Sequence, residues 1–168
     1  LMQLDLVIGS GGVLSHAPDR RAAMLMLLEG FGLEGVTQIA VDSIFMMPHL
    51  GVLSSVHPAA AQEVLYRDCL INLGHSVVPV YSTRLALNDL CEVYCAEKLL
   101  GTVQCGKVKL YQELGSGFVE LCVRPLHPKV DVGAGPGNEL CKEIEIGRHG
   151  ILLDGRNRPI VWPADRSR

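Results

Sequence analysis

The feature that most constrains the fold is a glycine-rich turn near the start of the chain. The stretch LDLVIGSGGVLSHAPDRRAAMLMLLEGFG, residues 4–32, begins with a short apolar run, breaks at the turn Gly9–Gly12, and resumes beyond Pro18 with helical spacing. This pattern predicts a strand, a glycine turn and a helix. A second β-branched run at residues 36–41 follows, so the unit predicts two parallel strands joined by a right-handed crossover.

Three of the four turn residues are glycines, which is open to two interpretations. Glycine tolerates positive φ and lets a backbone approach a ligand closely. Free N–H groups beside a helix N-terminus favour an oxygen-rich anion, which makes such turns suitable for a phosphate or a nucleotide. The alternative is that the glycines only let the chain reverse tightly. Neither G-x-G-x-x-G nor G-x-x-x-x-G-K-[ST] is present, so the motif alone favours the structural interpretation.

Composition excludes several classes of protein. The chain has 168 residues, of which 48% are hydrophobic, enough for one or two domains with a core. Binding to a phosphate backbone needs a basic face, and a formal net charge of −3 gives no support to it, so we expect no nucleic-acid partner. No apolar run reaches the roughly 18 residues of a membrane span, so we expect a soluble, cytoplasmic protein. Six cysteines lie scattered without a C-x-x-C pair or a secretory signal, so we expect reduced thiols and no metal site.

The first half of the chain predicts further helices and the second half predicts strands. An apolar helix that is largely buried is expected after Asp42, and another over AAAQEVLYRDCLINLG, residues 59–74. Residues 83–100 predict either a linking helix or a strand pair. From Gly101 onward, short alternating runs bounded by glycine or proline predict antiparallel β structure. We therefore divide the chain into an α/β part at 1–82, a linking segment at 83–100 and a β-rich domain at 101–168.

Two later motifs contain candidate binding residues. VDVGAGPGNEL, residues 130–140, is a phosphate loop or, as we favour, a glycine-rich hairpin connection. In GILLDGRNRPIVWP, Arg156 and Arg158 suit a carboxylate or phosphate ligand, but structural pairing with Asp154 or with a neighbouring acidic surface is favoured. Asp42 ends a strand, where α/β sheets bind ligands, or it caps the next helix. No spacing supports a Ser–His–Asp or Cys–His arrangement, so we predict no catalytic residue.

Three motifs in order, DLVIGSGGVLSHAP, AVDSIFMMPHLGVLS and VDVGAGPGNEL…GILLDGRNRP, resemble the C-terminal part of the MutL/GlmL family. This is the family of accessory proteins encoded beside glutamate mutase and related adenosylcobalamin enzymes such as ornithine aminomutase, and it is distinct from mismatch-repair MutL. The resemblance implies an ATPase of the actin, Hsp70 and sugar-kinase type, built from two ribonuclease-H-like halves. There, a strand, a glycine turn and a helix form the adenosine motif, and its positions correspond to Gly9, Ser10, Gly11 and Gly12.

The resemblance implies a chaperone-like function: ATP-dependent reactivation of an adenosylcobalamin-dependent mutase by exchange of damaged cobalamin. ATP and Mg²⁺ would be the cofactors of the full-length parent, and mutase subunits its partners. The phosphate loops are expected upstream of this C-terminal piece, which alone should neither hydrolyse ATP nor hold a cofactor tightly. Asp42, Asp154, Arg156 and Arg158 are possible cleft or interface positions. The alternative is a non-catalytic module that docks a mutase or another subunit. A sugar- or acetate-kinase relative ranks last.

Overall fold

The computed structural model describes residues 4–82, 84 and 86–160. Residues 83 and 85 of the predicted linking segment, and residues 161–168 of the predicted β-rich domain, lie outside this part. The helices are α1 (Gly12–Ser15), α2 (Arg20–Phe31), α3 (Met47–Ser54) and α4 (Pro58–Val64), and a π-helical turn follows at Leu65–Cys69. The strands are β1 (Leu6–Gly9), β2 (Gly35–Asp42), β3 (Leu70–Val78), β4 (Asp89–Cys95), β5 (Lys98–Gln104), β6 (Val108–Tyr111), β7 (Phe118–Pro125), β8 (Leu140–Glu145) and β9 (Ile151–Asp154). The fold is therefore mixed α/β, as predicted.

The first sheet has the strand order β1-β2-β3-β9-β6. Strands β1 and β2 are parallel, which confirms the predicted strand–turn–helix–strand unit. Strand β3 pairs antiparallel with β2 and parallel with β9, while β6 lies antiparallel to β9 at the edge. The sheet thus takes strands from both sides of the segment 83–100.

The second sheet has the order β5-β4-β7-β8 and is antiparallel throughout. This confirms the antiparallel β prediction for β5, β7 and β8. The prediction is wrong for one side of β9, in the run GILLDG, because β9 pairs antiparallel with β6 but parallel with β3. Between the two alternatives for residues 83–100, the structure has strands: β4 and the start of β5 form an antiparallel pair. The glycine-rich segment 130–140 lies in the connection between β7 and β8, which are antiparallel neighbours.

The predicted helix over residues 59–74 is wrong beyond Cys69. Helix α4 ends at Val64, and the π-helical turn leads into β3 at Leu70. Helical spacing over the first part of this segment continues into residues that are also apolar and β-branched, such as Val77 and Val78, so periodicity alone did not mark the change. Strand β3 forms because it can pair with two neighbours at once, and both of those contacts are distant in sequence.

The helix expected after Asp42 is present as α3, but the prediction that it is largely buried is wrong. Only Leu50 of its eight residues is buried. Other apolar residues of this helix, such as Val52, are exposed to solvent and do not pack in a core. Among the described residues, no helix is both long and apolar enough to cross a bilayer.

Three layers result from the alternation of side chains along the first sheet. One face of that sheet packs against α2, in a core that includes Met24, Leu28, Ile39, Leu73 and Val78. The opposite face packs against the second sheet, in a core that includes Val77, Leu90, Leu121, Ile151 and Leu153. Because neighbouring residues of β3 and β9 enter different cores, the first sheet is the middle layer and both of its faces are covered.

The expectation of reduced thiols is wrong for one cysteine pair. Cys122 on β7 and Cys141 on β8 lie directly opposite each other and form a disulfide. The pairing depends on the register of two strands joined by a long connection, which the cysteine spacing does not reveal. Among the described residues the other four cysteines, Cys69, Cys91, Cys95 and Cys105, are free.

Two glycines allow close backbone approach on the two sides of β9, one towards β3 and one towards the edge strand β6. Gly74 has φ of +145° and lies beside the irregularity in the β2–β3 register; a Cβ there would lie 2.2 Å from the carbonyl oxygen of Gly150. Gly150 has φ of +77°, and a Cβ there would lie 2.0 Å from the carbonyl oxygen of Tyr111. Backbone atoms cannot move aside as a flexible side chain can, so both positions require glycine.

We predict that Gly150→Ala destabilises the fold much more than Gly106→Ala. The two glycines have similar φ, +77° and +72°, but a Cβ at Gly106 meets no atom within 4 Å. Gly106→Ala should therefore cost only the backbone strain of a left-handed residue, about 1–2 kcal/mol. Gly150→Ala should cost about 1–3 kcal/mol more because of the clash. Urea denaturation of both variants measures the difference, and equal losses would contradict the packing argument.

A second prediction concerns His75 in β3. Its ring is buried, Nδ1 has no hydrogen-bond partner, and burial, assisted by Lys142, lowers its pKa from 6.5 to about 4. The unfolded chain therefore binds the extra proton first, so stability should be fullest above pH 6.5 and should fall as the pH approaches 4. His75→Gln should remove roughly 3 kcal/mol of this pH dependence. The exposed His57, changed to Gln, is the control in urea titrations at stepped pH.

Candidate functional site

The glycine turn and Asp42 lie side by side at the carboxyl-terminal ends of β1 and β2. These two strands are parallel, so their carboxyl-terminal ends lie next to each other, with Gly9 opposite Val41. Asp42 is the next residue of β2, and the Ser10 hydroxyl donates a hydrogen bond to its Oδ2 at 3.1 Å. The structure therefore joins two of the predicted site elements through a direct contact.

Asp42 is a completely buried carboxylate that organises the segment after β2. The backbone N–H groups of Met46 and Met47 donate to its two oxygens at 3.1 and 2.9 Å. Burial raises the pKa of Asp42, but the hydrogen bonds from Met47, Met46 and Ser10 together outweigh burial and hold the pKa below its ordinary value. The carboxylate is thus ionised at neutral pH, and it links the glycine turn to the start of α3.

The glycines of the turn have different reasons to be glycine. A Cβ at Gly9 would lie 2.6 Å from the Leu14 side chain, and Gly11 has φ of +120°. Both are therefore required by the chain itself. Gly12 has no positive φ, and a Cβ there would meet no atom within 4 Å. At Gly12 the described fold leaves open space. A ligand could approach the backbone there, so Gly12 is the position of the turn that is compatible with the ligand interpretation.

The connection from the turn to α2 is tied down by local polar contacts. The Ser15 hydroxyl donates to the Gly11 carbonyl at 2.8 Å, and the Arg20 guanidinium donates to the Leu14 carbonyl at 3.2 Å. Asp19 caps α2 by accepting the N–H of Arg21 at 2.9 Å. These contacts fix the turn relative to the helix that packs on the sheet.

Asp154, Arg156 and Arg158 form a separate cluster. The completely buried carboxylate of Asp154 accepts three hydrogen bonds from Arg156, at 2.9 to 3.1 Å, and one from Arg158 at 2.9 Å. Arg156 also donates to Glu29 of α2 at 2.9 Å. Hydrogen bonds from Arg156 to Asp154, and to Glu29 as well, raise its pKa. Two cations thus face two carboxylates.

Sheet topology places this cluster away from the glycine turn. Strand β9 is parallel to β3, and β3 is antiparallel to β2, so β9 runs opposite to β1 and β2. Asp154, at the end of β9, therefore lies at the amino-terminal ends of β1 and β2. The C-terminal part of α2, which contains Glu29, is on the same side. The four predicted positions Asp42, Asp154, Arg156 and Arg158 do not form one site, and Arg156 fastens the end of β9 to α2 while Arg158 pairs with Asp154.

Several backbone N–H groups of the glycine-rich segment 130–140 form hydrogen bonds within the segment itself. The Asp131 carboxylate accepts the N–H groups of Gly133 and Gly135 at 2.8 and 3.0 Å. The N–H of Gly137 donates to the Val130 carbonyl at 2.8 Å. Since these amides are already bonded and a carboxylate occupies the centre of the loop, the arrangement favours a connection between strands over a phosphate loop.

Two further features were missed by sequence reasoning. The sulfur atoms of Cys122 and Cys141 and a carboxylate oxygen of Glu139 lie within 4.8 Å of one another. A groove of about 390 Å³ between α3 and α4 is lined largely by apolar residues, among them Leu50 and Ala61. The first depends on the β7–β8 register, and the second on how two short helices pack. For the group of three donor atoms, one sequence pattern pointed in the right direction: Glu139 and Cys141 are two residues apart, which places them on one face of a strand.

These observations define a mixed α/β protein with a strand–glycine turn–helix unit whose turn is bonded to a buried carboxylate on the next parallel strand. A family model described as MutL protein matches residues 1–69, the part of the chain that contains this unit. The match is consistent with the MutL/GlmL resemblance of the sequence. No curated protein and no solved structure matches the chain.

We predict that Asp154→Asn is strongly destabilising, because it leaves two arginines without their buried carboxylate. The expected loss of unfolding free energy is about 3–5 kcal/mol. Asp68→Asn is the matched control, since Asp68 also accepts from an arginine, Arg67, but on an exposed surface. There the loss should be at most about 1 kcal/mol. Chemical denaturation compares the two variants, and a small loss at Asp154 would show that the cluster does not hold β9 to α2.

Proposed function

We propose that the chain is the C-terminal part of an ATP-dependent, chaperone-like reactivating factor for an adenosylcobalamin-dependent mutase, such as glutamate mutase or an aminomutase. The observation that carries the proposal is the bond between the glycine turn and Asp42, within the residues that the MutL family model matches. In this proposal residues 1–82 form part of a ribonuclease-H-like half of an actin- and Hsp70-type ATPase.

The adenosine side of the nucleotide would lie against the turn Gly9–Gly12. The open space at Gly12 fits this assignment, because no atom of the described fold occupies it. ATP with Mg²⁺, when bound, would supply the free energy of hydrolysis, and the loops that hold its phosphates would belong to other parts of the parent protein. The residues of this chain would bind and orient the adenosine and would sense whether it is present.

Asp42 gives this proposal a physical route from nucleotide to conformation. Its carboxylate accepts from Ser10 in the turn and from Met46 and Met47 at the start of α3. A ligand that shifts Ser10 would change the hydrogen bonds that hold α3, and so favour one orientation of this helix over another. Such a shift would open or close a hinged cleft and thereby loosen a bound mutase so that damaged cobalamin leaves.

A second candidate is a non-catalytic module that docks a mutase or another subunit. The observation that favours it is that several apolar side chains on and around α3 and α4 are exposed, namely Ile44, Phe45, Val52, Val56 and Tyr66. Exposed apolar side chains in a segment that also lines an apolar groove are typical of an interaction surface. In this reading the glycines serve only the backbone, and nucleotide has no effect on binding.

The test uses the full-length parent with a mutase blocked by cyanocobalamin, adenosylcobalamin, and ATP–Mg²⁺ present or absent. Gly12→Val places a side chain in the open space at the turn without a positive-φ penalty. Gly30→Val is the matched control, because it also meets no atom within 4 Å but lies near the other end of α2. We expect ATP-dependent recovery of mutase activity, reduced at least tenfold by Gly12→Val and retained by Gly30→Val.

Binding of a fluorescent ATP analogue by the same proteins separates the two candidates. Loss of both nucleotide binding and recovery in Gly12→Val supports the reactivating factor. Recovery that is independent of ATP and unaffected by Gly12→Val supports the docking module. No recovery with any mutase, from a folded parent that binds nucleotide, would contradict the reactivation proposal while leaving the nucleotide site in place.

A further inference from the structure

The outer face of the second sheet carries a row of side chains from three strands. Tyr94, Cys122 and Cys141 lie directly opposite one another on β4, β7 and β8. Glu139 is two residues before Cys141, which places it on the same side of the chain. The two sulfurs and a Glu139 oxygen lie within 4.8 Å of one another, and both Cys141 and Glu139 are exposed.

These three donor atoms have the chemistry and spacing of a zinc site. Zn²⁺ binds thiolates at about 2.3 Å and carboxylates at about 2.0–2.2 Å in tetrahedral geometry. Two thiolates on one zinc ion are therefore roughly 3.8 Å apart, a separation that directly opposite cysteines on neighbouring strands reach by side-chain rotation once the bond between them is broken. Three protein ligands leave the fourth position for water.

The charge around the three donors is also suitable. Two thiolates and a carboxylate exceed the charge of Zn²⁺ by one negative charge. The Arg124 guanidinium lies beside them, 3.1 Å from a Glu139 oxygen and 5.1 Å from the centre of the Tyr94 ring. Arg124 thus holds the Glu139 carboxylate near the sulfurs and balances the excess charge of an occupied site.

We propose that Cys122, Cys141 and Glu139 form a Zn²⁺ site that is available only when the Cys122–Cys141 disulfide is reduced. A dithiol reductant supplies two electrons and two protons and becomes a disulfide itself, while the S–S bond breaks to give two thiols. Zn²⁺ then displaces both thiol protons to solvent and binds the two thiolates and the carboxylate. The site lies on the second sheet, outside the residues on which the proposed nucleotide site rests, so the two proposals stand independently.

The test uses Co²⁺ as a spectroscopic probe for the zinc site. The chain is reduced with an immobilised dithiol, separated from it, and titrated with Co²⁺ without oxygen. We expect thiolate-to-cobalt charge-transfer absorption that saturates at one ion per chain and is abolished by Zn²⁺. Cys122→Ser or Cys141→Ser should halve the absorption per bound ion, and the oxidised chain should show none. Cys105→Ser, which removes an exposed free cysteine, should leave it unchanged.

Glu139→Gln tests the third ligand without touching the disulfide. We expect it to weaken Co²⁺ binding at least tenfold, while Glu143→Gln, a change further along β8, leaves the affinity within twofold. Three results would overturn the proposal: no thiolate absorption from the reduced chain, absorption that persists in the double variant Cys122→Ser/Cys141→Ser, or an unchanged affinity in Glu139→Gln.

Discussion

The pairing of β3 with β2 on one side and β9 on the other is the constraint on which the rest of the structure depends. Both pairings join residues far apart in sequence, and the pairing of β3 with β9 needs the close backbone approach that Gly74 permits beside Gly150. They place the first sheet between α2 and the second sheet, so that alternate side chains of β3 enter separate cores. They also set the direction of β9 against β1 and β2, and this direction decides which polar residues meet.

The directions of the strands place two buried carboxylates, Asp42 and Asp154, in different surroundings. Asp42, at the carboxyl-terminal ends of the parallel pair, accepts hydrogen bonds from the turn and from the start of α3, and these donors, Ser10, Met46 and Met47, are uncharged. Asp154, at the opposite end of these strands, is neutralised by two arginines. In the proposed function, a carboxylate held by neutral donors suits a site that responds to a ligand. One held by buried cations suits a structural clasp, because separating it from them is costly.

Some of this was accessible from sequence. The strand–glycine turn–helix unit and the parallel pairing of β1 with β2 follow from local patterns: strand formers, a turn that needs glycine, and apolar residues at helical spacing. Two of the three motifs that carry the resemblance to the MutL/GlmL family lie within residues 1–69, which the family model matches, and the third lies beyond them. The strand pair at β4 and β5 was one of two alternatives, because seven-residue apolar runs fit either a strand or a short helix.

The sequence by itself determined the local elements and the types of residue at the turn, because these depend on contacts between near neighbours. Only the tertiary structure decided that residues 70–78 form a strand, that Ser10 bonds to Asp42, that Arg156 joins Asp154 to Glu29, and that Cys122 meets Cys141. Each of these depends on strand order, direction or register. A shift of one residue in register turns every side chain to the other face, and no local pattern fixes it across a long connection.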